Sequence, residues 1–170
     1  VFIVQINTSR QFGSIGSPNM LFYVLNPAVG RLDSEFHMGR FRHEIAHLLW
    51  GQAYGEAPPL FYVGLAEYAG CLGAADELTV PVRAALANVP PLTGVALADD
   101  YWKHDAWNDR YRASGAWMKY LVERWGWEKL KALFLITEYA DREILDHFLQ
   151  VYGQTLESAD ADWRDALQAM

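Results

Sequence analysis

The chain has 170 residues, 52% of them hydrophobic and 14% aromatic, enough to bury a core without staples. A formal net charge of −7 and a pI near 5.1 leave no basic stripe to neutralise phosphates, which argues against a nucleic-acid partner. Cys71 is the only cysteine, which excludes an intrachain disulfide framework and a cysteine-based zinc site, and no apolar run is long enough to span a bilayer.

Val1 to Ile6 is β-branched and apolar and reads as a strand. A polar loop from Asn7 to Pro18 leads to a second expected strand, Met20 to Leu25, closed by Asn26-Pro27. A helix is expected from Ser34 or Glu35 to Trp50, with Asp33 or Ser34 as its N-cap and Gly51 as its stop. Gly55 to Pro59 is a turn, and Leu60 to Leu72 a second, apolar helix. Pro81 opens a short helix to Asn88, and Pro90 to Asp109 reads as a long irregular segment. Four more helices follow, Tyr111 to Trp125, Trp127 to Glu138, Arg142 to Tyr152 and Leu156 to Ala169, separated by Gly126, Asp141 and Gly153. The whole reads as one domain over residues 1–170, with a sheet and two site helices in 1–75 and a mainly helical part in 76–170. The expected fold is α+β: a small N-terminal sheet packed on the first helix, a helical C-terminal subdomain, and a cleft between them. A start at Val1, inside a strand-like run, leaves the compartment open; an extracytoplasmic location and excision from a longer protein both fit it.

The most informative stretch is His43-Glu-Ile-Ala-His47, a HExxH motif. Histidines four apart on a helix project from one face, close enough for both imidazoles to bind a single Zn²⁺. Ile45, Leu48 and Leu49 fill a different stripe. Glu44 is then placed as a general base for a water activated by the metal, not as a ligand. Twenty residues beyond His47 stands Glu67, on the second expected helix.

HEIAHLLW, the turn GEAPP and then LFYVGLAEYAG resemble the gluzincin metallopeptidases, the thermolysin-like group of zincins, and among them the bacterial peptidase MA-like members. The segment Tyr111-Arg-Ala-Ser-Gly115-Ala-Trp-Met-Lys-Tyr-Leu and the pieces WGWEKLKALF and VYGQTLESADADWRDAL extend the likeness from about Phe41 to the end. The resemblance implies a zincin-like fold and a zinc-dependent peptidase acting on a peptide or protein substrate. It implies His43, His47 and a glutamate of the second helix as metal ligands, Glu44 as base, and Tyr111 as a phenol that stabilises the oxyanion. One position departs from the family: where its "EGLAEY" carries the ligand glutamate, this chain has Val63. Glu67, one turn later, is left with two roles, third ligand by spacing or the acid that orients a zinc-binding histidine by alignment. The competing reading is a degenerate domain of the same kind, kept as a peptide-binding or scaffolding module.

Peptide substrate is expected to lie extended along Met20 to Leu25 as an added strand. His37, His104 and His147 have no ligand partners at suitable spacing and default to surface or loop roles. Trp102, Trp107, Trp117, Trp125 and Trp127 read as packing residues, and Cys71 as a small buried hydrophobe.

Overall fold

The computed structural model describes residues 14–17, 20–23, 35–71, 76–96 and 107–170. Two short strands, β1 (Ser14–Ser17) and β2 (Met20–Tyr23), pair antiparallel with Ser14 opposite Tyr23 and Ser17 opposite Met20. Among the described residues every other regular element is helical: α1 (Glu35–Tyr54), α2 (Pro59–Gly70), α3 (Asp76–Ala84), a 3-10 turn (Leu86–Asn88), α4 (Leu92–Ala96), α5 (Trp107–Trp125), α6 (Trp127–Ile136), α7 (Ile144–Tyr152) and α8 (Leu156–Ala169). The expected α+β architecture is therefore corrected to a helical one. A lone two-stranded hairpin is too small to make a layer of its own; it lies against α1, and the core is built by helices. Of the two expected strands, Met20 to Leu25 is present in shortened form, and Val1 to Ile6 lies outside the described residues.

α2 is the centre of the body. Pro59 opens it at the position where a missing N–H costs nothing, and Pro58 ahead of it is extended, as a residue preceding proline prefers. Leu60, Phe61, Val63, Leu65 and Ala66 are all buried, so α2 is covered on most sides, as an apolar helix must be. α1 runs back along it as an antiparallel partner, pairing His47 with Tyr62, His43 with Glu67 and Gly39 with Gly70. α1 continues through Gly51 and stops at Gly55, whose φ of +89° ends the helix while its N–H reaches the Gly51 carbonyl.

α5 crosses the other side of α2 at two glycines. A Cβ on Gly64 would lie 2.6 Å from the Ser114 carbonyl oxygen, and one on Gly115 would lie 3.0 Å from Glu67 Cβ. Beyond this crossing, Trp117, Phe148 and Trp163 join α5 to α7 and α8, with ring centroids 6.2 and 5.7 Å from Trp117. The buried Asp160 carboxylate ties α8 to the start of α4, accepting from Leu92 N–H at 3.1 Å and from Arg164 at 2.8 Å, and Arg164 in turn donates to the Val89 and Pro90 carbonyls.

Several boundaries differ from the sequence expectation for local reasons. Pro81 lies inside α3 rather than opening a helix, and Leu92 to Ala96 is helical within the segment read as irregular. α7 begins at Ile144, because Asp141 accepts from Glu143 N–H ahead of it. α8 spans the expected residues, with the Thr155 hydroxyl accepting from Ser158 N–H. Among the described residues no helix is long and apolar enough to cross a membrane.

The Gly64 crossing gives a direct test. Gly64→Ala must push α5 away from α2 and should destabilise the fold by about 2 to 3 kcal/mol in urea unfolding. Gly94→Ala, exposed in α4 with nothing within 4 Å of the new Cβ, should be neutral or stabilising by up to about 1 kcal/mol. Equal effects from the two would remove the crossing as the cause.

Candidate functional site

α1 presents His43 and His47 on the side that meets α2, their ring centroids 4.8 Å apart and nearly perpendicular. That juxtaposition follows from helical geometry alone, since residues four apart lie one above the other. His43 and Glu44 are both buried, at 5% and 6% exposure. α2 supplies the next two groups. Glu67 places Oε1 3.1 Å from His43 Nδ1. That contact turns Nδ1 of His43 to the carboxylate and leaves Nε2 on the opposite side of the ring. Five residues earlier, Tyr62 packs its ring 4.3 Å from that of His47 and donates its hydroxyl to the His47 carbonyl at 3.2 Å. α5 closes the set with Tyr111, whose ring is parallel to His43 at 6.3 Å.

Burial sets the electrostatics. The His47 pKa falls from 6.5 to about 3, chiefly because the imidazolium would be desolvated and secondly because His43 lies beside it. His47 is therefore neutral at any ordinary pH, the form in which an imidazole binds a metal. The Tyr62 phenol is pushed up to about 12, first by burial and then by the carboxylates of Glu56 and Glu44. Tyr62 thus stays a protonated donor.

The structure brings together His43, Glu44, His47, Glu67 and Tyr111 from α1, α2 and α5. Tyr62 is the site residue that sequence reasoning passed over; its signal was an aromatic residue five positions before Glu67, within the same apolar segment. Val63 is fully buried in the core. His147 instead pairs with Asp141 at 2.7 Å, remote in sequence from the motif, and His104 lies outside the described residues. Trp117 is a core residue, whereas Trp127 is 41% exposed and Cys71 is half-buried.

His47 Nδ1 is buried and makes no hydrogen bond, and His43 has one nitrogen turned to Glu67, which frees the other. Two imidazoles, His47 neutral through burial and His43 held by a carboxylate, are the donors the site offers the ion. A complete zinc site takes three or four protein donors, and among the described residues no group of three His, Cys, Asp or Glu is placed to hold an ion. Glu67 is engaged with His43, and Val63 has nothing to donate. The residues present thus supply two donors, one fewer than the smallest protein set a zinc ion usually takes.

The chain matches no family model, no curated protein and no solved structure. Together with the helical architecture and the absence of a three-donor group among the described residues, this overturns the gluzincin resemblance. The motif is real and helical; the zincin frame expected around it, with an N-terminal sheet and a third ligand on α2, is not what the described residues build.

The neutral His47 has a pH signature. Its folded pKa lies below its unfolded value, so the unfolded chain binds one more proton between them. The stability it contributes is fully present above pH 6.5 and declines as pH falls toward about 3. In metal-free protein, His47→Gln should reduce the slope of unfolding free energy against pH across this window by up to about 1.4 kcal/mol per unit. Parallel slopes for wild type and variant in urea titrations at pH 4 to 7 would refute the assignment.

Proposed function

We propose that the protein is a zinc-dependent hydrolase of peptide bonds, with His43 and His47 as the residues that hold the ion. The observation that carries this reading is the His43–Glu67 contact beside a neutral His47, which presents two imidazole donors with Glu44 on the intervening turn. Zinc, when bound, supplies Lewis-acid polarisation of a substrate carbonyl. The remaining work falls to the chain. Glu44, buried on the same turn as the histidines, takes a proton on a carboxylate oxygen from the attacking water and returns it to the leaving amine. Glu67 orients the ring of His43 through Nδ1. Tyr111, alongside His43, offers its hydroxyl to the developing oxyanion.

One observation favours a second reading. Val63 is buried without a donor atom, and two imidazoles are one ligand short of the usual catalytic set. On that basis the chain would be a peptide-binding or scaffolding module without turnover.

Two measurements separate the readings. Protein purified without added zinc should contain about one equivalent by elemental analysis, and His43→Ala and His47→Ala should each lose it, because a single imidazole does not hold the ion against buffer. Glu44→Gln should keep the zinc while hydrolysis of a mixed peptide library falls by about 10² to 10⁴-fold. Zinc at stoichiometry near zero, or hydrolysis unchanged in Glu44→Gln, defeats the hydrolase reading. Zinc and peptide binding without any turnover selects the module.

A further inference from the structure

We infer that Tyr62 is a positioning residue for His47, a role that rests on the zinc reading only for its consequence in metal affinity. Glu67 fixes the ring of His43 through Nδ1, but no corresponding acceptor meets Nδ1 of His47, which is buried without a hydrogen bond. A buried ring lacking that restraint needs another. Tyr62 provides it in two ways: its hydroxyl donates to the backbone carbonyl of His47 at 3.2 Å, and its ring covers the imidazole at 4.3 Å with a 41° tilt.

The tyrosine is itself confined on three sides. Its hydroxyl lies 3.2 Å from where a Cβ of Gly51 would stand, one turn beyond His47 on α1, so a larger residue there would press the hydroxyl aside by a few tenths of an ångström. The far edge of its ring meets Tyr139, between α6 and α7, at 6.5 Å and 85°. Its backbone is pinned by the first turn of α2, where Tyr62 N–H reaches the Pro58 carbonyl at 3.1 Å. A carbonyl of α1 that accepts from a side chain as well as from within the helix is also held in direction, and with it the Cα–Cβ bond of His47. His43 is thus set by charge and His47 by packing and a neutral hydrogen bond. The same geometry gives Gly51 a reason to be glycine in mid-helix, where alanine is otherwise preferred.

The test uses the full chain and zinc itself. Zinc affinity is measured by chelator competition for wild type, Tyr62→Phe, Tyr62→Ala, Gly51→Ala and the control Tyr68→Phe, a tyrosine of α2 that stacks on Trp127. Imidazole ¹⁵N signals of His43 and His47 are recorded on the metal-free proteins. Tyr62→Phe keeps the ring and should weaken zinc binding about 10-fold, Tyr62→Ala about 100-fold, and Gly51→Ala should fall with Tyr62→Phe. Tyr68→Phe should remain at wild type. In the metal-free state Tyr62→Phe should move the His47 signals and leave those of His43 in place, which a general loosening of the fold would not do. A Tyr62→Ala chain with wild-type zinc affinity, or a Tyr62→Phe chain with unmoved His47 signals, overturns the inference. Should Tyr62→Ala not fold, Tyr62→Phe carries the comparison. A wild type that binds no zinc defeats the hydrolase reading, and the His47 signals alone then decide the role of Tyr62.

Discussion

The close passage of α5 over α2 is the constraint on which the site depends. Helices with ordinary side chains at their contact pack with axes about 8 to 10 Å apart. The absent side chains of Gly64 and Gly115 let the Ser114 carbonyl and Glu67 Cβ occupy space that a methyl group would claim. Gly39 and Gly70 do the same between α1 and α2, each facing the other's carbonyl oxygen. With both contacts shortened, a histidine from α1, a carboxylate from α2 and a tyrosine from α5 meet around one point. Glycine within a helix costs about 0.5 to 1 kcal/mol relative to alanine, and the packing it permits here offsets that cost.

Burying polar groups at such a point is unfavourable unless they are satisfied by one another. His43 and Glu67 satisfy each other, and Tyr62 is satisfied by the α1 backbone. His47 is the exception. Its Nδ1 has no hydrogen-bond partner, and its basicity is suppressed by desolvation and by the neighbouring imidazole. Perturbed ionisable groups of this kind cluster where a chain binds or reacts, and the perturbation here falls on the HExxH helix.

The helices after α5 act as the frame that holds this arrangement still. Trp117, Phe148 and Trp163 fill the space beneath α5, and the Asp160–Arg164 pair fastens α8 to the backbone around Val89 and Pro90. Lys129 donates to the Val151 carbonyl near the end of α7, where the helix leaves acceptors unpaired. These contacts keep α5 pressed onto α2, so they support Tyr111 and the glycine crossing from a distance.

Local sequence determined the features whose physics is local. HExxH spacing placed both imidazoles on one face of a helix because the α-helical period is 3.6 residues wherever the helix sits. The last helix was legible because Thr155 caps it within its own first turn, and Gly153 ahead of it offers a left-handed residue. Gly51 and Pro81 misled as punctuation, since a tyrosine hydroxyl from α2 needed the space at Gly51 and α3 carries Pro81 inside it. The role of Glu67 could not be read at all from spacing, because Val63 and Glu67 share a face of α2 and either could have met α1. The antiparallel register of α1 and α2 aligns Glu67 with His43 and Tyr62 with His47, while Val63 goes into the core. Register between helices is fixed by close packing of residues far apart in sequence, and that is the part of the site only the tertiary structure supplies.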